Sequence, residues 1–91
     1  MERKRNKMEI IGDMLVAIQA KGGRIKPTHL MYKANLSYAQ LKTYLDQLVE
    51  KEFVGEMEND KKNTYIIITD KGDKFIQKLQ EMRQFERSFG F

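Results

Sequence analysis

Apolar and polar positions alternate along the chain in a pattern that predicts helices at both ends of the molecule. From Met8 to Ile18 apolar residues recur every three or four positions, as on one face of a helix. The glycine pair at 22–23 ends this helix, and Ile25 follows in a minor strand. Pro27 starts a short second helix with Leu30 and Met31 on its buried side. Asn35 tolerates a left-handed conformation and can end it.

The third helix carries the clearest local signals. Ser37 is a strong N-cap, and Gln40 three residues later completes a capping box. The helix is predicted from about Tyr38 to Lys51, with Tyr44 flanking its apolar stripe. Leu36, just before the cap, is placed to pack on the first turn of that stripe. The inner stripe consists of Leu41, Leu45, Leu48 and Val49.

A hairpin and a long final helix complete the pattern. Residues 53–58 form one strand, 59–63 a polar turn, and the β-branched and aromatic run 64–69 a second strand. Thr69 caps a last helix that opens with Asp70, an acid suited to the helix dipole. Its apolar positions are Phe75, Ile76, Leu79, Met82, Phe85 and Phe89.

The order of elements defines the expected architecture. A short helix, a tight turn and a longer amphipathic helix form a helix-turn-helix. The hairpin that follows adds a wing, so we expect a mostly α, α+β winged helix-turn-helix with a long C-terminal dimerisation helix. The winged-helix domain is assigned to 1–69, including a basic arm at 1–7, and the dimerisation helix to 70–91. One face of the third helix closes the core, and its other face is available for a DNA major groove.

The charge of the chain is distributed unevenly. The net charge is +4, but residues 1–45 hold nine Lys or Arg against three Asp or Glu, and residues 46–91 eight against ten. The charge of the basic half could serve solubility or could attract a polyanionic partner. Because this half also contains the helix-turn-helix, the second interpretation is favoured. The basic arm is expected to be disordered or to form the frayed first turn of a helix, and it either contacts DNA or is a solubilising tail. Its basic residues are Arg3, Lys4, Arg5 and Lys7.

The outer face of the third helix has the chemistry of a groove-reading surface. Gln40 can bind adenine edges, Lys42 can reach guanine or phosphate, and Thr43 can meet a thymine methyl. Asp46 and Glu50 would be repelled by phosphate, so contact is expected in the first two turns. Basic residues around the helix-turn-helix are expected on the DNA backbone, where they add affinity without specificity. They are Lys21, Arg24, Lys26 and Lys33.

Two stretches resemble a known family. MYKANLSYAQLKTYLDQLVEKEF and YIIITDKGDKF are similar to small archaeal winged-helix DNA-binding proteins. That family includes transcription regulators and ten-kilodalton Sulfolobus chromatin proteins that dimerise through a C-terminal coiled coil. The resemblance runs from Gly23 to Leu79. It implies groove contacts by Ser37, Tyr38, Gln40, Lys42 and Thr43, and a wing tip at Lys61, Lys62 and Asn63. Glu52 departs from the family, which often has glycine there.

The last helix has a seam of its own. Phe75, Leu79, Met82, Glu86 and Phe89 lie four, three, four and three residues apart, as in a heptad repeat with one charged position. We expect a homodimer through Phe75, Leu79, Met82, Phe85 and Phe89, since the distal half, with Phe91, extends beyond a body this small. The alternative is a helix folded back on the first one.

Other chemistry is weakly represented. There are no cysteines, His29 is the one histidine, and no apolar run approaches the roughly 20 residues of a membrane span. Carboxylates are scattered, so we expect neither an enzyme nor a cofactor, metal or small-molecule effector. We expect a cytoplasmic, nucleoid-associated protein that binds double-stranded DNA, most simply a transcriptional regulator. A low-specificity chromatin protein and a protein-interaction module are the alternatives.

Overall fold

A computed structural model describes residues 4–90 as four helices and three strands. The order predicted from the sequence is confirmed, including the two-residue first strand. The elements are α1 Lys7–Ala20, β1 Arg24–Ile25, α2 Pro27–Lys33, α3 Tyr38–Glu50, β2 Val54–Glu58, β3 Thr64–Ile68 and α4 Asp70–Ser88.

The sheet is antiparallel with β3 at its centre, in the order β1-β3-β2. Ile25 pairs with Ile66 and Arg24 with Ile67 on one edge, and Val54 pairs with Ile68 on the other. Because side chains alternate across a strand, Ile25 and Ile66 face the core while Arg24 lies on the outer surface. The β2–β3 hairpin is the predicted wing.

The core lies where α1 packs on α2, α4 and β3. Three leucines of α3 complete it, which confirms that helix's inner stripe at Leu41, Leu45 and Leu48. Val49, predicted in the same stripe, is 37% exposed, because it falls one residue beyond Leu48 and therefore about 100° further around the helix. The fully buried side chains are Met14, Leu15, Ile18, Ile25, Leu30, Leu48 and Ile66.

The N-terminal segment is more structured than a basic arm. Asn6 caps α1 by accepting a hydrogen bond from the Glu9 N–H, and the Glu9 carboxylate accepts one from the Asn6 N–H. This capping box places Lys7 in the first turn of the helix. Arg5 is tied to the protein by three hydrogen bonds, and Lys4 is exposed. Arg3 lies outside the described residues.

The end of α3 uses a left-handed residue without glycine. Glu52 has φ +64°, and the Phe53 N–H donates to the Leu48 carbonyl at 2.9 Å, closing the last turn. Thr69 then joins α4 to this turn. Its hydroxyl donates to the Glu52 carbonyl at 2.7 Å and accepts from the Gly72 N–H at 3.1 Å. Glu52 therefore takes the left-handed conformation that glycine would adopt more easily at this helix end.

The first half of α4 belongs to the body of the molecule. Gly72 and Ile76 are buried, and Leu79 is half-buried with its Cδ2 over Gly12 of α1. Phe75 packs on Phe53 with ring centroids 4.8 Å apart. The expected alternative, a helix folded against α1, thus describes this half, and the proposed boundary at residue 70 does not separate it from the core. Phe91 lies outside the described residues.

Candidate nucleic-acid interface

The turn between α2 and α3 is fixed by backbone hydrogen bonds. Asn35 has φ +55°, as its side chain type predicted, and the Leu36 N–H donates to the Met31 carbonyl at 2.9 Å. Leu36 is buried, and Ser37 starts α3 by accepting from the Gln40 N–H at 3.1 Å. A buried leucine and a cap therefore set the direction in which α3 leaves the turn.

The surface-facing side of α3 divides by charge. In the first two turns all side chains outside the leucine stripe and the half-buried Tyr44 are exposed, and Tyr38 is 73% exposed. The carboxylates of this helix, Asp46 and Glu50, lie in its second half. The structure therefore presents the predicted groove residues Ser37, Tyr38, Gln40, Lys42 and Thr43 together at one end of the helix, and the first carboxylate along α3 is Asp46, one turn beyond Lys42.

Gln40 is part of the capping box of α3, and this limits how its side chain could bind a base. Its Oε1 accepts a hydrogen bond from the Ser37 N–H at 3.0 Å. Bidentate recognition of adenine needs both the oxygen and the nitrogen of the glutamine amide. Reading adenine in that way would therefore break half of the capping box, whereas the Nε2 donor is available for a single contact.

Tyr32 is a candidate that the sequence pattern did not single out. It lies on α2 and is 74% exposed, matching Tyr38 on the other side of the turn. An exposed tyrosine offers an apolar ring and a hydroxyl at once, which suits contact with sugar, thymine methyl or phosphate. The sequence signal was its position next to the buried Leu30 and the half-buried Met31, on the face of α2 that the core does not use.

The wing tip is a built turn and not a loose loop. The Asn59 side-chain oxygen accepts from the backbone N–H groups of Lys61 (3.0 Å) and Asn63 (2.9 Å). Lys62 takes a left-handed conformation, φ +61°. Lys61, Lys62 and Asn63 are exposed, with Asp60 beside them. Two cations are thereby presented at the tip, as the sequence predicted, with one carboxylate next to them.

A basic depression lies between the base of the wing and the start of α2. It encloses about 390 Å³ and is lined by Lys21, Arg24, Ile25, Lys26, His29 and Tyr65. The guanidinium of Arg24 stacks over the Tyr65 ring, 4.8 Å from its centroid, which holds this cation in place at the surface. The structure thus brings Arg24 and Lys26 together. Lys33 lies elsewhere, in a shallow groove between α1 and α2.

Within residues 4–90, no cluster of three or more His, Cys, Asp or Glu is arranged to hold a metal ion. None of the helices described is both long and apolar enough to cross a bilayer.

The fold and this surface define a class of protein. The family model of the winged helix-turn-helix matches residues 4–87. The chain therefore belongs to the winged helix-turn-helix family, and its resemblance to archaeal members is confirmed by the relatives below.

One sequence relative and two solved structures illustrate this similarity. An uncharacterised protein of Methanocaldococcus jannaschii is 32% identical over 79 residues, covering 87% of this chain and 34% of the relative. The chain thus spans about a third of that protein. Sso10a-2, described as a DNA-binding protein from Sulfolobus solfataricus, superposes with a TM-score of 0.79 at 25% identity, covering 93% of this chain and 85% of its own. F93 from STIV, described as a winged-helix DNA-binding protein, has a TM-score of 0.71 at 22% identity, covering 93% and 92%.

Proposed function

We propose that this protein binds double-stranded DNA, with the N-terminal half of α3 in the major groove. The observation that carries the proposal is the surface of that half-helix. It is exposed and free of carboxylates, with cations at the wing tip and cations in the Arg24–Lys26 depression. A groove helix flanked by phosphate-binding groups needs this distribution. The likeness to Sso10a-2, a DNA-binding protein, supports the same role.

The wing provides the first test. Anisotropy titrations with a mixed-sequence duplex of roughly 30 base pairs, about three helical turns, would be repeated at several salt concentrations. Each phosphate contact adds about 0.9 to the slope of log K against log salt. The variant Lys61→Ala/Lys62→Ala should therefore bind more weakly on every sequence, with a slope lower by about 1.8.

The matched control removes two charges elsewhere. Lys74 and Arg87 are exposed on α4, away from the proposed DNA surface, and Arg87 lies on the opposite side of the helix from Phe85, so Lys74→Ala/Arg87→Ala changes net charge equally. Its slope should remain near that of the parent. Equal slopes for the two double variants would exclude direct wing contact, and absence of binding at low salt would refute DNA binding altogether. A protein partner for the same surface would then replace DNA.

The regulator and the chromatin protein differ in how much sequence they read. We propose a transcriptional regulator, with low-specificity DNA packaging as the second candidate. The internal hydrogen bond of Gln40 favours the second candidate, since it occupies one of the few base-reading groups on the helix. Selection from random duplexes separates them: a regulator enriches a motif, and a packaging protein enriches none.

The free end of α4 supports a homodimer. Met82, Phe85 and Phe89 are 52%, 64% and 64% exposed and share one face of the helix, with the two phenylalanine rings 4.8 Å apart. A continuous apolar face of this kind is unusual on a soluble monomer. We propose that a second copy covers it, coupling two recognition helices in one assembly.

Sedimentation of a single-site variant tests the dimer. Met82→Asp should convert the dimer to a monomer, because it buries a charge without a partner. Gln84→Asp, on the opposite side of α4 from Met82, is the control and should leave the dimer intact. Leu79→Asp is less informative, since Leu79 packs within the monomer. A Met82→Asp protein that still sediments as a dimer would place the interface elsewhere.

A further inference from the structure

Arg5 joins the N-terminal segment to the turn between α2 and α3. Among the described residues, its side-chain hydrogen bonds are the only ones that make this connection. Its Nη1 donates to the Asp13 carboxylate at 2.9 Å and to the Ala34 carbonyl at 2.8 Å, and its Nη2 donates to the Asn35 carbonyl at 2.7 Å. Asp13 belongs to α1, whereas Ala34 and Asn35 end α2. One guanidinium therefore connects α1 to the segment that leads into α3.

The acceptors explain why an arginine serves here. The last carbonyls of a helix lack intrahelical partners and carry the negative end of the helix dipole. A cation with several donors in a fixed planar fork can bond the C-cap carbonyl of Ala34, the next carbonyl at Asn35 and a carboxylate at once. The Arg5 side chain is 27% exposed, so these hydrogen bonds are partly shielded from water.

The position of these carbonyls links the contact to α3. Asn35 occupies the left-handed position of the turn, and Ser37, two residues later, caps α3. The C-terminal end of α3 is anchored by Leu45, Leu48 and the turn at Glu52. The N-terminal end, which carries the groove residues, is anchored by Leu36 and Leu41 and by this turn.

We propose that Arg5 is a positioning residue for the recognition helix: it clamps the turn before α3 to α1 through Asp13, Ala34 and Asn35. This role replaces the direct DNA contact expected of a basic arm, because the guanidinium is already engaged within the protein. The inference rests on the proposed DNA binding for its consequence, while the clamp itself is a property of the free protein.

Amide hydrogen exchange of the free protein tests the clamp without DNA. In Arg5→Gln the Asn35 and Leu36 amides should exchange on the order of ten times faster. The reason is that the variant loses the charged hydrogen bonds that oppose local opening of the turn. Amides that open locally in other parts of the molecule, such as Ser88 near the end of α4, should keep the parent rate. Arg5→Lys, which can reach fewer acceptors, should restore part of the protection. Lys4→Gln, at an exposed neighbour, should change nothing.

Salt-dependent DNA titration of the same variants separates positioning from contact. A positioning role predicts that Arg5→Gln binds several-fold more weakly with an unchanged salt slope. A phosphate contact predicts a slope lower by about 0.9.

Two outcomes would overturn the clamp: unchanged exchange at Asn35 and Leu36, or equally accelerated exchange at every amide. If exchange is unchanged and the salt slope is reduced, Arg5 contacts phosphate instead. If the parent protein fails to bind duplex at low salt, the proposed function fails, while the exchange data still decide whether Arg5 holds the turn.

Discussion

At Gly72 the structure predicts that alanine lowers stability, although Gly72 lies in a helix, where alanine is usually the more favourable residue. In a helix, alanine is ordinarily favoured over glycine by about 1 kcal/mol. Gly72 lies in the first turn of α4 and is buried. A Cβ added there would collide with the Phe53 carbonyl oxygen and would come within 2.8 Å of Ile68 Cγ1.

The Phe53 carbonyl cannot move aside cheaply. It accepts a hydrogen bond from the Thr69 N–H at 3.1 Å, at the junction where α4 begins. A side chain at Gly72 must therefore lift α4 from the sheet and disturb the buried Ile76. Overpacking of this kind costs about 1–3 kcal/mol, and the backbone contact places Gly72→Ala in the upper half of that range. After the helix-propensity gain, we expect a net loss of about 1–2 kcal/mol.

Gly12→Ala is a matched control, because Gly12 is also buried inside a helix. Its Cβ would meet Leu79 Cδ2 at 2.8 Å, but this is the end of a flexible side chain. Urea unfolding at fixed protein concentration should place Gly12→Ala within about 1 kcal/mol of the parent. Thermal unfolding should give Gly72→Ala a Tm lower by about 4–8 °C for each kcal/mol lost. A Gly72→Ala protein as stable as the parent would refute the packing argument.

Three further substitutions test particular contacts. Glu52→Gly should raise the free energy of unfolding by up to about 1 kcal/mol by relieving a left-handed glutamate, whereas Gln47→Gly, inside α3, should lower it by about 0.5 kcal/mol. A loss at both sites would contradict the strain. Thr69→Val removes the α4 cap and should cost about 1–2 kcal/mol in urea unfolding, with Thr69→Ser close to the parent; equal losses would argue against the hydroxyl. Gln40→Glu keeps a capping-box acceptor, so the Tm should be unchanged while affinity for every duplex falls. Gln47→Glu, further along α3, should lower the affinity less. A larger loss for Gln47→Glu would place the groove contact in the second half of α3.

Much of the helix-turn-helix was predictable because its signals are local. Ser37 and Gln40 are three residues apart, and the leucines of α3 repeat at helical spacing, so neither needs a distant partner. The cap of α1 was equally local: Asn6 and Glu9 have the same spacing. The sequence left two interpretations of this segment open, a disordered arm and the first turn of a helix, and the structure places Lys7 in that first turn. The Asn6–Glu9 spacing would have favoured the second interpretation.

The contacts of Arg5 could not be predicted in the same way. Two of its acceptors are backbone carbonyls 29 and 30 residues away in the sequence. Every residue has such a carbonyl, so no residue type marks Ala34 or Asn35 as a partner. Their availability follows from the end of α2, and their proximity follows from the packing of α1 on that helix. Such a site becomes visible only when the fold is known.

The heptad predicted for the last helix combines residues of two different surfaces of α4. Gly72, Ile76, Leu79 and Arg83 are spaced by four, three and four residues and form the stripe directed toward the body, while Phe75, Met82 and Phe89 lie on a stripe displaced by one residue, or about 100°. The heptad read from the sequence passed through Leu79 and so joined parts of both.

The Thr69–Gly72 segment explains why one helix can serve two purposes. Thr69 caps α4 and donates to the Glu52 carbonyl, and Gly72 permits close approach to Phe53, so the first half of the helix is fixed to the end of α3. A helix of 19 residues is about 28 Å long, and only its first half is fixed in this way. The apolar side chains of its distal half are exposed, and the direction of the helix is set at its junction with the end of α3. If a second copy covers that half, as proposed, the separation of two groove-reading surfaces is determined at the Thr69–Gly72 junction. Gly72→Ala should consequently alter the DNA half-site spacing that a dimer prefers, in addition to lowering stability.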